Sequence, residues 1–323
     1  MNEVVKDSDN KLWDYSPALE SMDHIHLEEH YDLFINGTFS PPASGKYFNT
    51  INPATEEVIA KVAYASKKDV DKAVSSAQTA YEKYWSKLDG TERGKYVFRI
   101  ARLISEKARE FAVIESIDGG KPIRESKGID VPLAAAHFFY YAGWADKLKF
   151  AFHGREHSSL GVAGQIIPWN FPLLMAAWKI APALATGNTV VLKPAETTPL
   201  TALKLSELIQ EADLPPGVVN IISGDGDTGK YLVQHRGVEK IAFTGSTEVG
   251  KFIQKSLAGS SVRYTLELGG KAANIIFEDA SIDQAVEGII NSIFFNQGHV
   301  CCAGSRLFVQ EGIANEVIDK PQI

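Results

Sequence analysis

Gly161-Val-Ala-Gly-Gln-Ile-Ile-Pro-Trp-Asn-Phe-Pro172 is the stretch on which the fold turns. Val162 to Ile167 is a short apolar run that reads as a strand, and a helix opens near Pro172. The same unit then repeats. Thr189 to Lys193 reads as a strand, with a helix from about Pro199 to Ala212. Val218 to Ile222 is followed by a helix near 228–235, and Lys240 to Thr244 by a helix from Thr247. Four strand-then-helix units in a row predict an α/β fold with a parallel sheet covered on both faces. The unbroken apolar run Val190-Val191-Leu192 fits burial on both faces.

Upstream, residues 1 to about 28 are polar and aperiodic and read as a surface extension. From Leu33 to Ile59, short apolar runs alternate with the turn pairs Asn36-Gly37 and Asn52-Pro53, which predicts a small β-meander. Residues 68–88 and 91–117, and a stretch near 130–147, carry helical periodicity. Downstream, strand patterns at 263–268 and 273–277, a helix at 283–297 and a strand at Leu307 to Gln310 begin a second α/β series.

The 323 residues are 45% hydrophobic and 23% charged, as expected of a soluble globular chain with a sizeable core. A net charge of -7 with no basic cluster argues against nucleic acid as a partner. No apolar run reaches the roughly 18 residues of a membrane span, and Met1 to Asn10 lacks the layout of a signal peptide. A cytoplasmic protein is the expectation. The two cysteines are the neighbours Cys301 and Cys302, a spacing unsuited to a disulfide or a zinc ligand pair. His26 and His30, and His153 and His157, have i, i+4 spacing, and His24 lies nearby, but no further ligand pattern joins them. No metal is expected.

Five short stretches carry chemistry. In Phe243-Thr-Gly-Ser-Thr-Glu-Val-Gly250 a strand ends, Gly245 turns and Ser246-Thr247 open a helix. That is either an anion site or an ordinary capped helix start, and Gly250 would let the helix approach the sheet. Lys193-Pro-Ala-Glu196 lies at the carboxyl edge of the sheet, where such folds bind ligands. Its carboxylate suits a ribose diol and its lysine a hydroxyl or phosphate; both are equally ordinary surface residues. Asn170, between Trp169 and Phe171, is a turn-former or an oriented donor. Glu267, between Leu266 and Leu268, is a general base with its pKa raised by apolar company, or a side chain facing solvent. Cys301 and Cys302 sit in a small-residue turn after a helix and are reactive thiols or small buried apolar groups. Asp225-Gly226-Asp227 reads as a turn, because its acids disfavour phosphate.

In combination these stretches resemble the aldehyde dehydrogenase superfamily. The resemblance covers about residues 31 to 312. It is carried by Gln165 to Pro172, Leu192 to Glu196, Phe243 to Gly250, Leu266 to Lys271 and Asn296 to Arg306, in that order. It implies a Rossmann-like NAD-binding domain at 29–265, with an oligomerisation arm shortened at about 147–160, and the beginning of a catalytic domain at 266–323. It also implies NAD as cofactor, an aldehyde as substrate and a homo-oligomer for full-length members. By resemblance Cys301 is the nucleophile, Glu267 the general base and Asn170 the oxyanion donor. Lys193 and Glu196 contact the adenosine ribose, Gly245 and Ser246 lie near the pyrophosphate, and Ile166, Ile167, Pro168, Trp169 and Gly269 complete the cofactor contacts. Glu196 favours NAD over a 2′-phosphorylated cofactor. His299 stands where the family has glutamine.

Family members continue beyond the cysteine, with a Glu-x-Phe-Gly-Pro segment and a C-terminal strand that this sequence lacks. A chain that stops before the catalytic domain is complete, with exposed apolar strand edges, is therefore expected. Two functions follow: aldehyde oxidation with NAD through a cysteine thioester, or a non-catalytic remnant that is at most a dinucleotide-binding module.

Overall fold

The computed structural model describes residues 25–151 and 157–320, together with Met22 and the backbone of two short strands, Val5–Lys6 and Leu12–Trp13. His24 and His153, most of the N-terminal extension and the middle of the arm lie outside the described residues.

A seven-stranded sheet organises the chain. Its strands are β1 (Leu33–Ile35), β2 (Thr38–Ser40), β3 (Val162–Ile166), β4 (Thr189–Lys193), β5 (Val219–Ile221), β6 (Lys240–Gly245) and β7 (Arg263–Leu268), in the order β7-β6-β3-β4-β5-β1-β2. The five strands from β7 to β5 are parallel, and β1 and β2 add on antiparallel. Alternate side chains divide between two cores: Phe34, Val190 and Leu192 enter one, and Leu33, Ile35 and Val191 the other. The strands β3, β4, β5 and β1 are thus buried on both faces, as their continuous apolar runs require, while the edge strands β7 and β2 stay largely exposed.

Helices α1 (Lys67–Lys83), α2 (Gly90–Glu106), α3 (Ala108–Gly119), α4 (Val131–Trp144), α5 (Pro172–Ala185), α6 (Leu200–Glu211), α7 (Gly226–Val233) and α8 (Thr247–Leu257) cover it. Val74 of α1 and Leu232 of α7 line the core on one face; Ile100 of α2, Ile180 of α5 and Leu203 of α6 line the core on the other. Beyond this sheet, β8 (Ala273–Ile276) and β9 (Arg306–Val309) pair in parallel around α9 (Ile282–Phe294). Ile275, Phe277, Leu307 and Phe308 of this part are exposed.

The structure departs from the sequence reading in four places, the first being that the strand at 263–268, read as beginning a second α/β series, pairs with β6 as β7 at the edge of the large sheet. The stretch 33–59 is not one meander. Asn36 and Gly37, both at positive φ, close a hairpin whose two strands join the large sheet. Tyr47–Ile51, Val58–Ala63 and His30–Tyr31 form a separate three-stranded sheet. Leu33, Phe34 and Ile35 are all buried, so β1 needs cover on both faces, and a free-standing meander gives cover on one. The helical stretch 91–117 is two helices, α2 and α3, broken where Lys107 (ψ 21°) leaves helical geometry. Apolar spacing runs through the break because Leu103 and Ile104 before it and Phe111 and Ile114 after it all face the core. Asp225-Gly226-Asp227 is a helix start rather than a plain turn, with Asp225 accepting from the Asp227 N–H at 2.8 Å.

Several charged groups lie inside the fold between α3 and α4. Glu115 is fully buried, and burial pushes its carboxyl up to about 7; the ammonium of Lys121 opposes that rise and the carboxylate of Asp130 adds to it. In the unfolded chain Glu115 ionises near its ordinary value of 4.5. Its stabilising contribution is therefore complete below that value and is lost as pH rises through about 7. Glu115→Gln removes this dependence. Between about pH 5 and about pH 8 the parent chain is expected to lose roughly 1–3 kcal/mol more stability than the variant, read from urea midpoints.

Candidate active site

Parallel strands in one sheet deliver their carboxyl ends to a single edge, and ligands of open α/β sheets bind there. Ile166 of β3 is registered against Lys193 of β4 and Phe243 of β6, and Gly245 of β6 against Leu268 of β7. The loops that leave these ends carry Ile167 to Asn170, Pro194 to Glu196, Ser246 and Gly269. Sequence-predicted residues that are up to about a hundred positions apart thus come off one edge.

Local chemistry explains each placement. The Ile167 N–H donates to Lys193 O at 3.1 Å, extending the β3–β4 pairing by one residue before the Pro168 turn. Lys193 is buried; its ammonium donates to Pro194 O at 3.0 Å and to Glu196 Oε2 at 3.1 Å. Burial lowers its pKa, and the Glu196 charge opposes that shift. Glu196 itself is half exposed, so Lys193 and Glu196 are not two ordinary surface residues but a buried cation under an open carboxylate. Ser246 caps α8 by accepting from the Val249 N–H at 3.2 Å, while Ser246 to Val249 stay exposed. Gly250 lets α8 close on β7: a Cβ there would lie 2.6 Å from Leu268 Cδ2. Gly269 donates to Gly245 O at 3.3 Å and accepts from Thr247 Oγ1 at 3.3 Å, which ties the ends of β6 and β7 to the start of α8.

Asn170 reaches the cysteine segment. Its side-chain amide donates to His299 O at 2.6 Å, two residues before Cys301. Its own backbone carbonyl accepts from Lys121 Nζ and from Asn296 Nδ2, each at 3.0 Å. Trp169 meets the His299 ring edge-on at 4.8 Å. An amide has two N–H donors, so one remains for a ligand after the His299 bond is made. Both cysteines are free and exposed. Partial burial pushes the Cys301 thiol above its ordinary value, and its neighbour Cys302 adds to the shift.

Of the two readings open for Glu267, the structure shows a side chain near the end of β7 that faces solvent rather than one enclosed by apolar neighbours. Among the described residues no hydrogen bond or ion pair joins it to Asn170 or to the cysteine turn. Its charge acts instead on Lys179 of α5, whose pKa burial lowers to about 8 and Glu267 raises in part. Lys179 donates to Thr244 Oγ1 at 2.5 Å, one residue before Gly245. Sequence reading missed Lys179, because one lysine in Trp178-Lys-Ile180 looks like the polar face of a helix. It also missed Lys121, Glu125 and Asp130, which lie buried behind Asn170.

Among the described residues no group of three or more His, Cys, Asp or Glu side chains could hold a metal ion, and no helix is long and apolar enough to cross a membrane. His30 stacks edge-on against Tyr47 at 5.8 Å.

Comparison with known proteins bears on the same region. The model of the aldehyde dehydrogenase family matches residues 39–322. The chain is 49% identical over 304 residues to the mitochondrial aldehyde dehydrogenase of Rattus norvegicus, covering 89% of this chain and 58% of that protein. It is also 49% identical over 300 residues to retinal dehydrogenase 2 of Homo sapiens, covering 88% and 58%. It superposes on the NAD+ complex of an aldehyde dehydrogenase from Bacillus cereus with a TM-score of 0.87 and 42% identity, over 91% of this chain and 64% of that one. The chain spans about 60% of the length of the curated relatives it matches.

Proposed function

The chain belongs to the aldehyde dehydrogenase family, and on that premise we propose that its sheet edge binds NAD and oxidises an aldehyde to a carboxylic acid through a thioester on Cys301. The observation that carries the reading is the Asn170 amide on His299 O, which puts a hydrogen-bond donor at the cysteine turn.

The donor set fits the cofactor. The exposed start of α8 at Ser246 offers backbone N–H groups and a positive dipole end to a pyrophosphate. The open carboxylate of Glu196, steadied by Lys193, suits a ribose diol and repels a 2′-phosphate. Ile166 to Trp169 and Gly269 frame the same edge. In this reading residues 29–265 form the cofactor-binding part, and the catalytic part begins at 266. NAD, when bound, accepts a hydride. The Cys301 thiolate adds to the aldehyde carbonyl carbon, and Asn170 donates to the oxygen as charge develops on it. A single donor of this kind is worth roughly 3–4 kcal/mol in a hydrolase. Once hydride has left, Cys301 carries a thioester. Glu267, being open to solvent, takes the proton of the water that cleaves it, and the thiol is regenerated.

The test is to follow NADH and carboxylic acid together when the chain is given an aliphatic aldehyde and NAD or NADP. Equal amounts of both products with NAD are expected, and Glu196→Gln is expected to narrow the preference for NAD over NADP by about tenfold, the worth of one hydrogen bond to a charged group. Binding of NAD without either product would leave only the dinucleotide-binding module.

A further inference from the structure

The turn that presents Cys301 is strained and held from outside. Asn296 (φ 50°), Gln297 (φ 59°) and Gly298 (φ 76°) all lie in the left-handed region. Gln297 carries a side chain that disfavours this conformation, and such strain persists only where surrounding structure over-determines it. The surroundings come from two segments far away in sequence, Gly120 to Glu125 and the Asn170 turn. The buried Glu125 carboxylate accepts the Asn296 N–H at 2.7 Å. Gly120 O accepts from the Gln297 side chain. The buried Lys121 ammonium donates to Asn170 O, where Asn296 Nδ2 also donates.

The first of these segments is itself fixed. After the short turn Ile123–Glu125 the backbone makes a π-helical turn, Ser126–Asp130, which sets the buried Asp130 carboxylate against Lys121. Turns of this kind inside helices often mark functional positions. The Lys121 ammonium also lies 4.3 Å from the Phe171 ring centroid, next to Asn170. Gly120 to Asp130 is therefore a wedge with one hand on the Asn170 backbone and one on the cysteine turn.

We propose that Glu125 and Lys121 are positioning residues: Glu125 fixes the strained turn that carries Cys301, Lys121 fixes the backbone of Asn170, and together they set the thiol opposite the amide. The proposal rests on Cys301 as nucleophile and Asn170 as oxyanion donor. Neither positioning residue touches the reacting atoms in this scheme.

The test uses the full chain with Glu125→Leu, which removes the acceptor, and Glu125→Gln, which keeps an acceptor oxygen without the charge. Hydrogen exchange at Asn296 to Val300 is expected to quicken by about tenfold or more in Glu125→Leu, with α5 unchanged, and to stay within about threefold of the parent in Glu125→Gln. In turnover, kcat of Glu125→Leu is expected to fall by on the order of tenfold to a hundredfold with KM for NAD unchanged, and Glu125→Gln to restore it. A folded Glu125→Leu chain with parental exchange at Asn296 to Val300 overturns the proposal. If that variant does not fold, the parent decides: Asn296 to Val300 must exchange more slowly than the exposed turn Gly270 to Ala272, and equal rates overturn the proposal. A chain that makes no NADH refutes the oxidation reading instead, and the exchange comparison still decides the role of Glu125.

Discussion

Cys301→Ser is expected to lower aldehyde-dependent NADH formation by on the order of a thousandfold or more, while Cys302→Ser stays within about threefold of the parent. The two thiols are neighbours, both free and both exposed, so exposure does not separate them. Position does. The Asn170 amide is anchored on His299 O, two residues before Cys301, and the turn that fixes His299 is held by Asn296 N–H on Glu125. Cys302 is one residue further from that anchor. A serine hydroxyl at 301 cannot supply a thiolate, and an ester formed on it would not share the ready hydrolysis of a thioester. NAD binding, which the reading assigns to the sheet edge, is expected to persist in Cys301→Ser. Loss of activity in Cys302→Ser with retention in Cys301→Ser would reverse the assignment.

The largest expected effect on stability is at Lys121. Its ammonium is buried against Asp130, lies 4.0 Å from Glu115 Oε1 and donates to Asn170 O. Lys121→Met keeps the aliphatic stem and removes the charge, which leaves two buried carboxylates uncompensated. Breaking a buried pair in this way costs about 3–5 kcal/mol. The loss has a predictable pH dependence. Without the ammonium, Asp130 and Glu115 hold their protons to higher pH in the folded chain than in the unfolded one. The variant is therefore nearest the parent at about pH 5 and furthest from it at about pH 8. The pair variant with Asp130→Asn is expected to recover part of the difference, because one of the stranded charges is gone. Urea unfolding at both pH values measures this, and a Lys121→Met chain within about 1 kcal/mol of the parent at the higher pH would show that the cluster is not held by that ion pair.

The parallel sheet was legible because each strand is a continuous apolar run bounded by turn residues, and because alternation of strand and helix admits few topologies. Asn170, Lys193 and Gly245 were legible for the same reason, since β3, β4 and β6 belong to the repeated units and their ends leave one edge, whereas Glu267 sits on a strand read as part of a second series, which the structure adds to the same sheet. What local pattern does not carry is partnership across the fold. Leu33 to Ile35 looks like part of a meander, and only the need to cover Phe34 on one side and Ile35 on the other draws it into the large sheet. Asp118-Gly-Gly-Lys-Pro-Ile-Arg-Glu-Ser-Lys-Gly-Ile-Asp130 carries no periodic pattern between two helical stretches, yet Lys121, Glu125 and Asp130 are buried because they satisfy one another and the backbone of two distant turns. Glu267 shows the converse, since flanking leucines suggested enclosure and strand geometry turned the carboxylate outward.

The central claim is that Cys301 carries the acyl group. Glu267→Gln, which slows water attack, lets that species accumulate, and a quenched mixture of this variant with aldehyde and NAD can be digested and mapped by mass. The account predicts an acyl mass on Cys301, dependent on NAD and absent from Cys302. An acyl mass on Cys302, or NADH formed with no acyl mass on either cysteine, would contradict it.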